Sequence, residues 1–462
     1  MSIAGAQPAQ LKVTNYDGSI SVSPQHIVSP TSVEEIQAIV RDTVTYPSPV
    51  RAMGSFHSLT PCAASDGTIM DMKQMNAIVS IDPEKMTITA QAGLQLIEAS
   101  RALREHGLQF MLNIEIGNMT LGSGACCHTK DGLDGIELGQ VCSYVTAMKW
   151  VSPSGELQEA SETSNPDLLK VMRTSYGLLG IIYEVTFRIK PLEAVHFTYL
   201  PRPADELTQA EVDQILGASE GLVCWTVGRK AVFQQRHKIE QPGILGSLQA
   251  AVRRRMWNFQ GAFVGHIIDK FLTDKDVRDA VERGNLDLEG FMYDTLHLAG
   301  GITLLAPDKT IDYSETPQEA RYAFTFWAFP QEGWLPIYMD YLDWAEQYHA
   351  KTGFRCNMPL GAYRVRKDDS SLLSYSVDGD MFSIDPIHAP TDAKAWADFL
   401  RAFNEFASAR GGIPLLNQSP FVTRDQVQKA FGDRWTTFSK LVKTVDPGGR
   451  LLNQFFADLL SV

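Results

Sequence analysis

Val50-Arg51-Ala52-Met53-Gly54-Ser55-Phe56-His57-Ser58-Leu59 is a short apolar run that ends in a Gly-Ser turn and a histidine. A strand ending this way can deliver backbone N–H groups to a phosphate-bearing cofactor. Glycine lets the main chain come close, and serine adds a hydroxyl donor. Taken alone, such a turn is more often only a turn, and the histidine beside it a solvated side chain. The segments on either side give it its meaning.

Upstream, Ile27-Val28 reads as a short strand. Ser32 and Glu35 form a capping box ahead of apolar Val33, Ile36 and Val40, which starts a helix. Downstream, 68–72, 77–81 and 86–90 read as strands, and Ala92-Gly93 ends the last of them. Leu96, Ala99 and Leu103 have helical spacing up to Gly107. A second glycine-rich segment runs from Gly117 to Thr129. Its small residues would let backbone pass along a cofactor, and would equally let a helix pack tightly. Residues 144–157 read as a hairpin, Asp167–Arg173 as a short helix, and Ile181–Lys190 as an alternating strand stopped by Pro191. Further on, Tyr322–Phe329, Gly361–Val365 and Met381–Ile384 read as strands, and Leu335–Tyr348 and Ala393–Arg410 as helices. An antiparallel sheet with helices on one side accommodates them.

A chain of 462 residues exceeds one ordinary core, so two domains are expected. The net charge of −13 argues against nucleic acid or an anionic membrane as the main partner. Neither a signal peptide nor a membrane-spanning run is read. The 6 cysteines lack paired CxxC spacing, so metal ligation has little support and free thiols in a cytoplasmic setting are expected. Arg253-Arg254-Arg255 lies beside apolar residues at helical spacing, a pattern that suits a solvated face over a core better than a peripheral membrane contact or a lid.

The succession from Pro24 to Lys190 resembles the FAD-binding domain of the vanillyl-alcohol oxidase superfamily, the p-cresol methylhydroxylase type. The closing segment Asp446–Phe456 resembles that of sugar-alcohol and aldonolactone oxidases. The resemblance implies an α+β fold. Residues 1–191 would form an FAD-binding domain with a small parallel-containing sheet and a larger antiparallel one. Residues 192–415 would form a substrate or cap domain with an antiparallel sheet flanked by helices, and 416–462 would return to the FAD domain. It also implies FAD as cofactor, bound by Arg51, Gly54, Ser55, Phe56, Ser58, Gly93, Thr120, Gly122, Ser123, Cys127, Gly180, Ile182 and Asn453. Gly54-Ser55-Phe56-His57-Ser58 matches the Gly-x-x-His-Ser turn of the alditol oxidase branch, which implies an 8α-histidyl tether through His57. The berberine-bridge branch adds a cysteine link at a position that corresponds here to about Asn118. Cys126 and Cys127 fall too late, so a single bond is expected.

On the substrate side the chain departs from those relatives. Where they carry a glutamate and an arginine two residues apart, it has Gly361 and Tyr363. Where they carry His-Trp-Gly-Lys, it has Leu415-Leu416-Asn417-Gln418. The leucines point to a small, fairly apolar substrate. Tyr363, Arg364, Asn417, Gln418 and His128 are the candidates for the reacting face. The expected function is an FAD-dependent oxidoreductase that takes a hydride from a CH–OH or similarly activated carbon onto flavin N5, as an oxidase using oxygen or a dehydrogenase using another acceptor. An oxidative cyclase of a biosynthetic pathway and an inactive flavin-binding scaffold are the alternatives.

Overall fold

The computed structural model describes residues 11–132, 137–239, 275–313, 316, 321–389 and 392–460. The helix Val33–Arg41 starts where its cap predicts, with the Ser32 side chain accepting from the Glu35 N–H at 3.2 Å. Glu35 reaches back to the Thr31 N–H at 2.7 Å, one residue beyond the expected box. This helix buries Ile36, Ile39 and Val40.

The strands His26–Val28, Thr68–Asp71 and Val50–Met53 form a 3-stranded parallel sheet with Thr68–Asp71 in the middle. Ligands bind beyond the carboxyl ends of parallel strands, and the Gly54 turn sits at such an end. A 6-stranded antiparallel sheet follows, built around Ile181–Pro191 with Val145–Val151 on one side and Thr87–Gln91 on the other. The second glycine-rich segment folds as the helix Leu121–Cys126, so the small residues serve close packing as well as approach to a cavity.

The large antiparallel sheet has 8 strands. Its order is Ile302–Leu305, Ala194–Pro203, Lys230–Ile239, Gly221–Val227, Leu360–Val365, Met381–Ile384, Trp327–Pro330 and Ile413–Pro414. Helices Trp334–Thr352 and Ala393–Ala409 dock on it through buried polar anchors. Tyr338 pairs with Thr226 at 2.9 Å, Trp334 Nε1 donates to the Ser383 carbonyl at 3.0 Å, and Trp327 Nε1 donates to Asn404 at 2.9 Å. The run expected as one strand over Tyr322–Phe329 is broken. Ala323–Phe324 pairs with Ile387–His388, the Thr325 N–H turns to the Pro386 carbonyl at 3.1 Å, and Trp327–Pro330 joins the large sheet.

The last residues close back on the first lobe through main-chain acceptors. Arg450 donates to the carbonyls of Ile39, Val40 and Tyr46 at 2.7, 2.8 and 2.6 Å, and the Val50 N–H donates to the Arg450 carbonyl at 2.8 Å. No helix among the described residues is long and apolar enough to cross a membrane. The arginine cluster at 253–255 lies outside the described residues.

Candidate functional site

A cavity opens where the Gly54 turn, the helix Leu121–Cys126 and the large sheet converge. Its empty space, open mouth included, is about 1630 Å³. Arg51, Gly54, Ser55, Phe56, His57, Ser58, Thr120, Gly122, Ser123, Cys127, Gly180 and Ile182 line it, and so do His128, Tyr363, Asn417 and Gln418. Three other candidates are placed elsewhere. Gly93 packs against the Met72 carbonyl, and Asn453 holds the carbonyls of Pro61 and Ala64, both at 2.9 Å. Arg364 follows Tyr363 on one strand, so its side chain takes the opposite face and bonds the Leu216 carbonyl at 2.8 Å and Gln331 at 3.0 Å.

The Gly54–Ser58 turn is shaped for an anion. Phe56 has φ of 50°, a left-handed conformation, which turns successive N–H groups toward a common point. Among the described residues, the N–H groups of Ser55, Phe56, His57 and Ser58 donate to no protein acceptor. Ser55 is fixed by its hydroxyl to the Asn118 carbonyl. These unspent donors fit the pyrophosphate of FAD. Gly54 is required for close approach, since a Cβ there would lie 2.3 Å from Thr120 Oγ1.

His57 stacks on Tyr16 at 4.3 Å between ring centroids, and Asn118 Nδ2 lies 2.8 Å from its Nε2. Burial, assisted by Arg321, pushes its pKa down to about 4 against the pull of Asp312. The imidazole is therefore neutral at pH 7, the nucleophilic form. Arg51 lines the cavity and donates through its two terminal nitrogens to the carbonyls of Cys62, Tyr176 and Leu451 at 2.7, 2.6 and 2.8 Å, while its Nε has no partner among the described residues.

His128 is wholly buried. Its Nε2 donates to the Leu373 carbonyl at 2.7 Å, because a carbonyl can only accept, and its Nδ1 takes the Tyr176 hydroxyl at 2.6 Å. Burial lowers its pKa to about 4. Asn417 completes this group by donating to the His128 carbonyl at 3.0 Å. Leu415 and Leu416, whose apolarity pointed to an apolar substrate, have no exposed surface and do not line the cavity. The lining is nonetheless mostly apolar, with a polar and charged minority that includes Lys130, Asp131, Glu115, Asp385, Tyr322 and Gln418. Gln418 Oε1 and Asp385 Oδ1 are buried acceptors with no hydrogen bond among the described residues.

Lys130 and Asp385 escaped the sequence reading. The available signal was a charged pair, Lys130-Asp131, directly after a run of small residues, and an acid directly after an apolar strand. Either pattern more often marks a solvent-exposed strand end. Asp131 is spent structurally, buried between Arg236 at 2.5 Å and Lys309 at 3.0 Å.

This architecture and cavity define an FAD-binding flavoprotein of the vanillyl-alcohol oxidase type, and sequence comparison agrees. Residues 24–161 match an FAD-binding domain, and residues 185–459 match the D-arabinono-1,4-lactone oxidase family. The chain belongs to the D-arabinono-1,4-lactone oxidase family. It is 28% identical to the L-gulonolactone oxidase of Bos taurus over 46% of this chain, a match that spans 47% of the bovine protein. It is 22% identical to the L-gulono-1,4-lactone dehydrogenase of Mycobacterium tuberculosis over 96% of this chain and 97% of that one. A cholesterol oxidase from B. sterolicum shares the fold with a TM-score of 0.70 at 16% identity, covering 100% of both chains.

Proposed function

We propose that this chain is an FAD-dependent oxidoreductase that oxidises a CH–OH carbon of a sugar lactone. The observation that carries this reading is a pair of buried acceptors without a partner among the described residues, Gln418 Oε1 and Asp385 Oδ1, on two residues that line the same cavity as the Gly54–Ser58 turn. A polyhydroxylated ring can supply the missing donors, which an apolar substrate cannot. Membership of the D-arabinono-1,4-lactone oxidase family and likeness to lactone oxidases and dehydrogenases support the same class.

Bound FAD supplies a two-electron acceptor for hydride. The Gly54–Ser58 turn holds its phosphates, and His57 tethers it. Asn118 Nδ2 at 2.8 Å from His57 Nε2 would hold the ring in orientation for the bond. Tyr322, Phe324 and Tyr363 line the cavity, Phe324 and Tyr363 within 5.0 Å of the Lys130 ammonium. The electrons pass on to oxygen or to another acceptor.

Intact mass and absorbance after denaturation, followed by anaerobic mixing with L-gulono-, L-galactono- and D-arabinono-1,4-lactone, test the reading. Bleaching of the flavin supports it, and recovery in air marks an oxidase. Recovery only with an added dye marks a dehydrogenase. A flavin that none of the lactones bleaches sinks the lactone reading and favours the scaffold.

A further inference from the structure

Lys130 and Asp385 meet in the cavity wall from distant parts of the chain, one at the end of the second glycine-rich segment and one just past the strand Met381–Ile384. Lys130 Nζ donates directly to Asp385 Oδ2, and the two side chains are 10% and 1% exposed. The ammonium lies 4.6, 4.5 and 5.0 Å from the ring centroids of Phe324, Phe326 and Tyr363, a cage that fixes its position. The Asp385 backbone is locked to Gly361 by hydrogen bonds of 2.8 and 3.1 Å. A buried ion pair is a poor stabilising device, often bettered by apolar side chains. This one also leaves Oδ1 buried without a hydrogen bond among the described residues, a cost that a bound hydroxyl would remove.

Building on the lactone-oxidising reading above, we propose that Asp385, held by Lys130, is the base that takes the proton of the reacting substrate hydroxyl. The O–H bond breaks and its proton passes to Asp385, while the C–H electron pair leaves as hydride to FAD and the C=O bond forms. Asp385 then returns the proton to solvent. Burial raises the Asp385 carboxyl to about 6, against the pull of Lys130 and Ser383, so at pH 7 it is mostly the carboxylate. Burial holds the Tyr363 and Tyr375 phenols well above their usual range, and Asp131 is paired with Arg236 and Lys309. Glu115 contributes charge toward Lys130, and Tyr322 lines the same end of the cavity.

The test uses the FAD-loaded full chain and whichever of the three lactones bleaches the wild type. Rapid mixing gives the reduction rate and lactone affinity against pH, and carbon NMR of aspartate-labelled protein follows the carboxyl itself. Asp385→Asn is expected to slow reduction about 100-fold or more, to weaken lactone affinity by a much smaller factor, and to abolish the acid limb near pH 6. The NMR resonance titrating near pH 6 should vanish in Asp385→Asn and move to higher pH in Lys130→Met, which loses the cation. A variant that reduces at the wild-type rate, or one that keeps the acid limb, overturns the proposal. If Asp385→Asn does not load FAD, the Lys130→Met titration decides, and an unmoved resonance overturns it. A wild type that no lactone bleaches removes the lactone reading, and the proposal falls with it.

Discussion

Asn118 Nδ2 lies 2.8 Å from His57 Nε2, a contact that fixes the orientation of the imidazole ring. Asn118→Ala removes the group that orients the ring. The fraction of flavin that stays with the denatured chain should fall at least severalfold, while total flavin in the native protein changes little. His57→Ala should release all of it. In-gel fluorescence after denaturation checks both, and full retention in Asn118→Ala would remove the orienting role.

Gly54 and Thr120 form a close contact with no room between them. Gly54→Ala should abolish FAD loading, because its Cβ would meet Thr120 Oγ1 at 2.3 Å and Cγ2 at 2.9 Å. Thr120→Ala removes both atoms, so the double variant should recover part of the loading, a non-additive outcome expected for contacting sites. Absorbance per mole of protein reads this directly. A double variant no better than Gly54→Ala would place the clash elsewhere.

Arg51 stands on three carbonyls at 2.8 Å or less. Arg51→Met strips those acceptors of their donors inside the protein, at a cost of about 3 kcal/mol or more. Its denaturant midpoint should drop in the FAD-free protein as well as the loaded one. A loss seen only in the loaded protein would make Arg51 a cofactor ligand and not a clamp.

His128 ties acid stability to its burial. Its pKa is lowered from 6.5 to about 4 in the fold, so between those values the unfolded chain binds the extra proton. Stability from this group is intact above about pH 6.5 and falls as the pH drops toward 4, by up to roughly 3 kcal/mol. His128→Gln should be less stable at pH 7 yet flatter across that window. Chemical unfolding at several pH values measures the slope, and an unchanged slope would assign the acid sensitivity to other groups.

Much of the first lobe was legible because its signals are local. Ser32 before an apolar repeat, the Pro191 stop and the Gly54-Ser55-Phe56-His57-Ser58 turn each act on their own neighbours, and Val33–Arg41 and Ile181–Pro191 form where those signals place them. Arg364 and Tyr363 were indistinguishable as candidates until the strand's facing was known. Asn417 and Gln418 reach the cavity, whereas Leu415 and Leu416 beside them enter the core.

By itself the sequence determined most elements of the first lobe, the glycine turn and the FAD-binding class, since periodicity, caps and turn chemistry depend on residues a few positions apart. Only the tertiary structure decided which charges share the cavity. Lys130 meets Asp385 because the sheet sets Met381–Ile384 between Leu360–Val365 and Trp327–Pro330, and that strand order depends on the whole core and not on any local run of residues.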